Sequence, residues 1–227
     1  MKWILNFFTS TLGQKIIMSL TGLFLITFLP VHLVGNLQLL FNDGGEAFNV
    51  YAKFMTSNPL IKFTSYGLYF FILLHAIQGI IVWQINKGKK GTRYAVEAKS
   101  STWASRKMGI LGTIILVFIL IHMYQFWFKM KIGTIPPITI DGVEMSNLYT
   151  TVYEAYTNIF FVIFYVVSMI VIGLHLSHGF QSAFQTLGLN HKKYTPLIKL
   201  LGTVYSIVVP LGFAIIPVIM YLKYIKG

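Results

Sequence analysis

The 227-residue chain contains no cysteine. That absence excludes disulfides, thiolate zinc sites, Cys-ligated iron–sulfur clusters and a covalently attached c-type haem. Any transition metal held in an apolar part of the chain must therefore rest on its six histidines. Charge is also scarce: 11% of residues are charged against 56% hydrophobic, and only six are acidic. A soluble domain of this length needs more polar surface than that to cover its core. No internal repeat or low-complexity tract is present, and no soluble basic domain exists to make the net charge of +12 a nucleic-acid signal.

The charges are clustered as well as few. None falls between Lys15 and Asp43, Lys62 and Lys87, Lys107 and Lys129, Glu154 and Lys192, or Lys199 and Lys223. Each gap reaches the ~20 residues that carry a helix across a bilayer core. Pro30, Pro210 and Pro217 lie inside such gaps, where membrane helices tolerate proline. The sequence thus predicts an all-α integral membrane protein, a single domain over 1–227 with spans at 16–41, 63–86, 108–128, 157–186 and 200–222. The N-terminal stretch "MKWILNFFTSTLGQK" has no small-x-small cleavage site before the first span, and is expected to be retained as an interfacial helix.

Twelve of the 18 Lys and Arg fall on one side of these spans: Lys2, Lys15, the loop holding Lys87, Lys89, Lys90, Arg93, Lys99, Arg106 and Lys107, then Lys192, Lys193 and Lys199. The other side holds Asp43, Glu46, Asp141, Glu144 and Glu154. The positive-inside rule places the N-terminus in the cytoplasm and the C-terminus outside, and topology with anionic headgroups accounts for the basic balance. The long basic loop after the second span is long enough to dock a partner protein.

Five histidines lie within spans: His32, His75, His122, His175 and His178; His191 is in a basic loop and reads as solvated. A lone intramembrane histidine is most simply a helix–helix hydrogen-bonding group. One on each of the first four spans is a functional signal, because ionisable groups at that depth are costly. Residue counts to the nearest outer-side charge, at about 1.5 Å per residue, put His122 and His32 about 10 and 16 Å deep, and His75 and His175 about 20 and 31 Å deep. A mononuclear four-histidine site needs its ligands at one level. Two levels of two describe two bis-histidine sites, each able to hold one iron porphyrin between facing helices. The first four spans then form a haem-binding bundle, with His32 and His122 on an outer haem and His75 and His175 on an inner one.

His175 is favoured over His178 as the fourth ligand. "HAIQG" and "HLSHG" set Gly79 and Gly179 four residues after His75 and His175, on the same helix face, where a glycine leaves room for a flat ring. Ser182 occupies that position after His178, which fits a hydrogen bond to a propionate or water; ordinary close helix packing accounts equally well for the glycines taken alone.

These residues sit in stretches similar to the five-helix, two-haem cytochrome b558 family of succinate dehydrogenases and fumarate reductases. "LGQKIIMSLTGLFLITFLPVHLVGNLQLL" resembles its first span, "NPLIKFTSYGLYFFILLHAIQGI" its second, "SSTWASRKMGILGTIILVFILIHMYQFW" its third and "GLHLSHGFQSAFQTLG" its fourth. The resemblance covers most of the chain and selects His175, the histidine followed by x-S-x-G. It implies the membrane anchor of a succinate:quinone oxidoreductase with two haem b groups, a flavoprotein subunit and an iron–sulfur subunit on the cytoplasmic side, and (mena)quinone as electron partner, in a bacterial cytoplasmic membrane. Glu46, Asp43, Asn36 and Gln38 are quinone-site candidates, with exposed loop polarity the alternative for each. Some relatives carry a glutamate two residues before the fourth ligand, linked to proton movement; here that residue is Gly173. The competing readings are the haem b subunit of another membrane dehydrogenase or hydrogenase, a histidine-relay transporter, which predicts intramembrane acids that this chain lacks, and a cofactor-free anchor.

Overall fold

A computed structural model describes residues 6–7, 9–88 and 103–226. Residues 1–5 and 8 of the expected interfacial helix, and Lys2, Lys89, Lys90, Arg93 and Lys99, lie outside the described residues. The elements are α1 (Thr11–Leu37, prolonged by a 3₁₀ turn at Gln38–Leu40), α2 (Glu46–Ser57), α3 (Pro59–Gly88), α4 (Trp103–His122), β1 (Pro137–Ile140), β2 (Val143–Ser146), α5 (Leu148–Tyr156), α6 (Ile159–Thr186) and α7 (Thr195–Lys226). A π-helical stretch, Met123–Phe128, follows α4 directly.

Among the described residues, five helical segments are long and apolar enough to cross a membrane: Thr11–Leu40, Pro59–Ile85, Trp103–Lys131, Ile159–Thr186 and Thr195–Lys226. Large apolar side chains point outward along them, including Phe63 at 77% and Phe160 at 78% exposure. A water-soluble surface rarely tolerates such continuous apolar exposure, so these are the faces that meet lipid. Four of the five segments overrun the expected spans by several residues at one or both ends. Lys15, Lys62, Arg106, Lys107, Lys129, Lys131, Lys199 and Lys223 are all helical. Long basic side chains carry their charge out to the interface while their stems stay beside the helix, so a charge marks the membrane boundary without ending the helix.

Asparagines and a serine start the helices. Ser10 Oγ accepts from the Gly13 N–H at 3.0 Å, Asn58 Oδ1 from Leu60 at 2.9 Å, Asn147 Oδ1 from Thr150 at 3.2 Å and Asn158 Oδ1 from Phe160 at 2.9 Å. Each satisfies an amide that has no partner within its own helix. Pro30 leaves the Ile26 carbonyl without its usual i+4 donor. The Tyr205 hydroxyl on α7 fills that gap in a short hydrogen bond to the Ile26 oxygen, which ties α7 to α1.

The packing of α1, α3, α4 and α6 closes a ring: α1 on α3, α3 on α4, α4 on α6 and α6 on α1. Helix α7 lies outside it, against α6 and α1. At Gly173 the α6 backbone approaches α7 so closely that a Cβ would sit 2.9 Å from the Ser206 carbonyl oxygen. A glutamate there would force the two helices apart.

Between the spans at one end, α2, the β1–β2 hairpin and α5 form an ordered cap that sequence patterning did not announce. Asn49, 1% exposed, joins its pieces: its amide N–H donates to Asn147 Oδ1 at 3.1 Å and its Oδ1 accepts from the Tyr149 N–H at 2.9 Å. Gly45 turns into α2 with φ +90°, and a Cβ there would overlap the Tyr149 ring. Lys223 Nζ donates to the Leu40 carbonyl and to Asn42 Oδ1, fixing the end of α7 to the same cap. The main buried cluster lies at this end, with Leu39, Phe48, Val152, Tyr156, Tyr165 and Met220 among its members. The α6–α7 loop, with Lys192 and Lys193, lies at the opposite, basic end.

Candidate cofactor site

The histidines of the four-helix ring meet in two pairs across its diagonals. His32 on α1 and His122 at the end of α4 have ring centroids 5.9 Å apart with planes at 83°. His75 on α3 and His175 on α6 have centroids 6.4 Å apart with planes at 74°. Neither α1 with α4 nor α3 with α6 is a neighbouring pair in the ring, so each histidine pair spans its centre.

The two pairs lie at different levels. Thr21 touches His75, and His32 lies 11 residues further along α1, about 16 Å of rise. On α6, Tyr165 touches His122 and His175 follows 10 residues later, about 15 Å away. The His32–His122 pair is nearer the cap and the His75–His175 pair nearer the basic end.

The capped-end pair is wrapped in aromatic rings. Phe28 stacks on His32 at 5.1 Å and Phe118 on His122 at 5.7 Å. Phe213 of α7 approaches His32 at 5.4 Å and Phe126 approaches His122 at 5.5 Å. His122 Nδ1 lies 3.3 Å from the Tyr165 hydroxyl, which donates to Gln125 Oε1 at 2.7 Å. Gln125 comes from the π-helical stretch, a local widening of the helix that often sits at functional sites. Asn36 donates firmly to the His32 carbonyl at 2.7 Å and approaches His32 Nδ1 at 3.3 Å.

The basic-end pair is lined by small residues instead. A Cβ on Gly22 would lie 3.2 Å from His75 Cε1, and one on Gly112 would lie 3.8 Å from His175 Cε1. At Gly179 a Cβ would meet nothing within 4 Å, and at Gly79 only the Met18 methyl at 3.7 Å. Among the described residues, two buried polar atoms here have no hydrogen-bond partner: His175 Nδ1 and Gln78 Nε2. Gln78, 8% exposed and three residues from His75, was not singled out by sequence. Its signal was available: an amide at an otherwise apolar depth of a span.

His178 has no such placement. The ring that faces His75 is that of His175, and His178 stands one turn on, half-buried. His191 is exposed in the α6–α7 loop, stacked on Tyr194 at 5.3 Å. The quinone-site candidates are not gathered into one place. Asn36 bonds to His32, Glu46 is exposed in the first turn of α2, and Gln38 forms the 3₁₀ turn after α1. Asp43 holds the start of α2: its carboxylate accepts from the Ala47 and Gly45 N–H groups, both at 2.9 Å. Those bonds, that from Ala47 first, hold its pKa below the ordinary carboxylate value.

The geometry tests what the pairs can hold. Imidazole nitrogens bind transition metals at about 2.0–2.1 Å. With about 1.1 Å from each nitrogen to its ring centre, two rings on opposite sides of one metal have centroids about 6 Å apart. Both observed separations agree. Among the described residues no group of three or more His, Asp or Glu is close enough to enclose a metal ion. A metal between these pairs would therefore take its remaining ligands from a non-protein group. A planar tetradentate ring with two axial positions meets that requirement, and the open space at Gly79 and Gly179 and the unpartnered Gln78 amide suit its edge.

No protein-family model, curated protein or solved structure matches this chain.

Proposed function

We propose that this chain is the membrane-anchor cytochrome b subunit of a succinate:quinone oxidoreductase, carrying electrons between an iron–sulfur subunit and (mena)quinone through two b haems. The observation that carries this reading is the pair of diagonal histidine contacts, at centroid distances of 5.9 and 6.4 Å, set about 15 Å apart along the bundle axis. His32 and His122 would hold the haem nearer the cap, and His75 and His175 the other. Bound there, each iron porphyrin would supply a one-electron couple.

The chain's own residues divide the remaining work. The helix ring would hold the four imidazoles in two facing pairs for the two groups. Phe28, Phe118, Phe126 and Phe213 keep water from the capped-end pair. At the basic-end pair, Gln78 Nε2 offers a donor to a propionate, with Lys15, Lys107, Lys192 and Lys193 toward that face of the membrane. The basic end would be cytoplasmic, in a bacterial inner membrane, and would seat the iron–sulfur and flavoprotein subunits. Dicarboxylate chemistry would belong to those partners. Quinone would exchange electrons near the cap, where Glu46, Asn36 and Gln38 remain the polar candidates.

A pyridine haemochrome count on the purified chain, with succinate-driven haem reduction in the co-purified complex, tests the reading. Two b haems per chain, reduced by succinate, are expected. A chain made with haem available yet carrying none would overturn the electron-transfer role. Haem that succinate cannot reduce would move the chain to a different dehydrogenase.

A further inference from the structure

In each histidine pair, one ring nitrogen meets a hydroxyl supplied by another helix. His75 Nδ1 on α3 is 3.0 Å from Thr21 Oγ1 on α1. His122 Nδ1 is 3.3 Å from the Tyr165 oxygen on α6. A hydroxyl has one proton to give and two lone pairs to accept with. In both cases the proton is already committed. Thr21 donates to the Ile17 carbonyl at 2.7 Å, with the Met18 carbonyl at 3.2 Å as its second acceptor. Tyr165 donates to Gln125 Oε1 at 2.7 Å. A hydroxyl engaged in this way can only accept from the imidazole, so the ring proton sits on Nδ1.

A neutral imidazole with its proton on Nδ1 has a bare lone pair on Nε2. The other two rings lack this device. His175 Nδ1 is buried without a partner, and His32 Nδ1 faces the Asn36 amide nitrogen, a donor.

We propose that Thr21 and Tyr165 are positioning residues that lock His75 and His122 as Nδ1–H tautomers, so that each pair contains one imidazole preset to offer its Nε2 lone pair. The consequence for haem rests on the function proposed above; the tautomers themselves do not. A ligand imidazole whose Nδ1–H is held by an acceptor is the more basic one and favours ferric iron. Thr21 and Tyr165 would therefore hold down the potentials of the basic-end and capped-end haems respectively.

The test uses the full-length chain as purified, compared with Thr21→Val, Thr21→Ser and Tyr165→Phe. In haem-loaded protein, a redox titration should show one midpoint potential rising in Thr21→Val, the other rising in Tyr165→Phe, and neither moving in Thr21→Ser. Thr21→Ser restores the acceptor while changing the packing, which separates the hydrogen bond from a structural effect. Haem bound with unaltered potentials in both Thr21→Val and Tyr165→Phe would overturn the proposal. If the chain carries no haem, the functional reading fails, and ¹⁵N spectra of histidine-labelled protein still decide the tautomers. Two rings locked as Nδ1–H, one released by Thr21→Val and one by Tyr165→Phe, would sustain the proposal. Those rings carrying their protons on Nε2 in the wild type would overturn it.

Discussion

The two histidine pairs solve one geometric problem with different surroundings. Around His32 and His122 the space is filled by stacked aromatic rings and backed by the main buried cluster. Around His75 and His175 it is left open by glycines, with two polar atoms awaiting partners. The difference follows from position. The capped-end pair is shielded by α2, the hairpin and α5, which give bulky side chains something to pack against. The basic-end pair has no such lid among the described residues, and the room beside Gly79 and Gly179 depends on side chains that are absent.

That contrast can be broken most severely by filling the glycine space. Gly179→Leu adds a side chain where a Cβ meets nothing within 4 Å, so the fold should survive. Occupancy of the basic-end haem should fall at least about tenfold, equivalent to about 1.4 kcal/mol, while the capped-end haem stays. A haemochrome count of one per chain would show this, and two fully occupied haems would mean that the open space is ordinary lipid-facing surface.

Removing the cap's buried amide acts on the other half. Asn49→Ala leaves the Asn147 and Tyr149 groups without their partner, a loss of about 1–3 kcal/mol. Thermal scans should show an earlier transition, with the capped-end haem released before its counterpart. A smaller effect is expected from Tyr205→Phe, which deprives the Ile26 carbonyl of its donor beside Pro30. Hydrogen bonds between membrane helices are worth about 0.6–1.7 kcal/mol, so stability should fall within that range. The capped-end potential should respond more than the other, since Pro30 lies two residues from His32.

The smallest effect concerns pH. The Asp43 carboxylate is held below its ordinary pKa by the amides at the start of α2. Its contribution is therefore present at pH above the ordinary carboxylate value and is lost as pH falls through the lowered one. Asp43→Asn should remove that acid-limb dependence from the cap's stability and leave the neutral-pH haem count unchanged, as followed by pH-dependent melting.

Much of the architecture was legible because membrane spans are written in charge spacing and length. Counting residues from the outer charges put His32 with His122 and His75 with His175, and those are the rings that meet. The cap was not legible, because α2, the hairpin and α5 are short and held by contacts such as Asn49 with Asn147, 98 residues apart. Thr21 and Tyr165 were missed for a related reason. Each serves a histidine on another helix, 54 and 43 residues away in sequence, and a hydroxyl within a span otherwise reads as bonding its own helix. The helices overrun the spans that charge spacing marks because they continue through the lysines at the interface.

The most direct test of the account is haem content, followed by reduced-minus-oxidised spectra, across His32→Ala, His75→Ala, His122→Ala, His175→Ala and His178→Ala. The account predicts pairwise loss: His32→Ala and His122→Ala remove the same spectral component, His75→Ala and His175→Ala remove the other, and His178→Ala removes neither. Loss of a component in His178→Ala with His175→Ala unaffected, or any other grouping of the four, would contradict it.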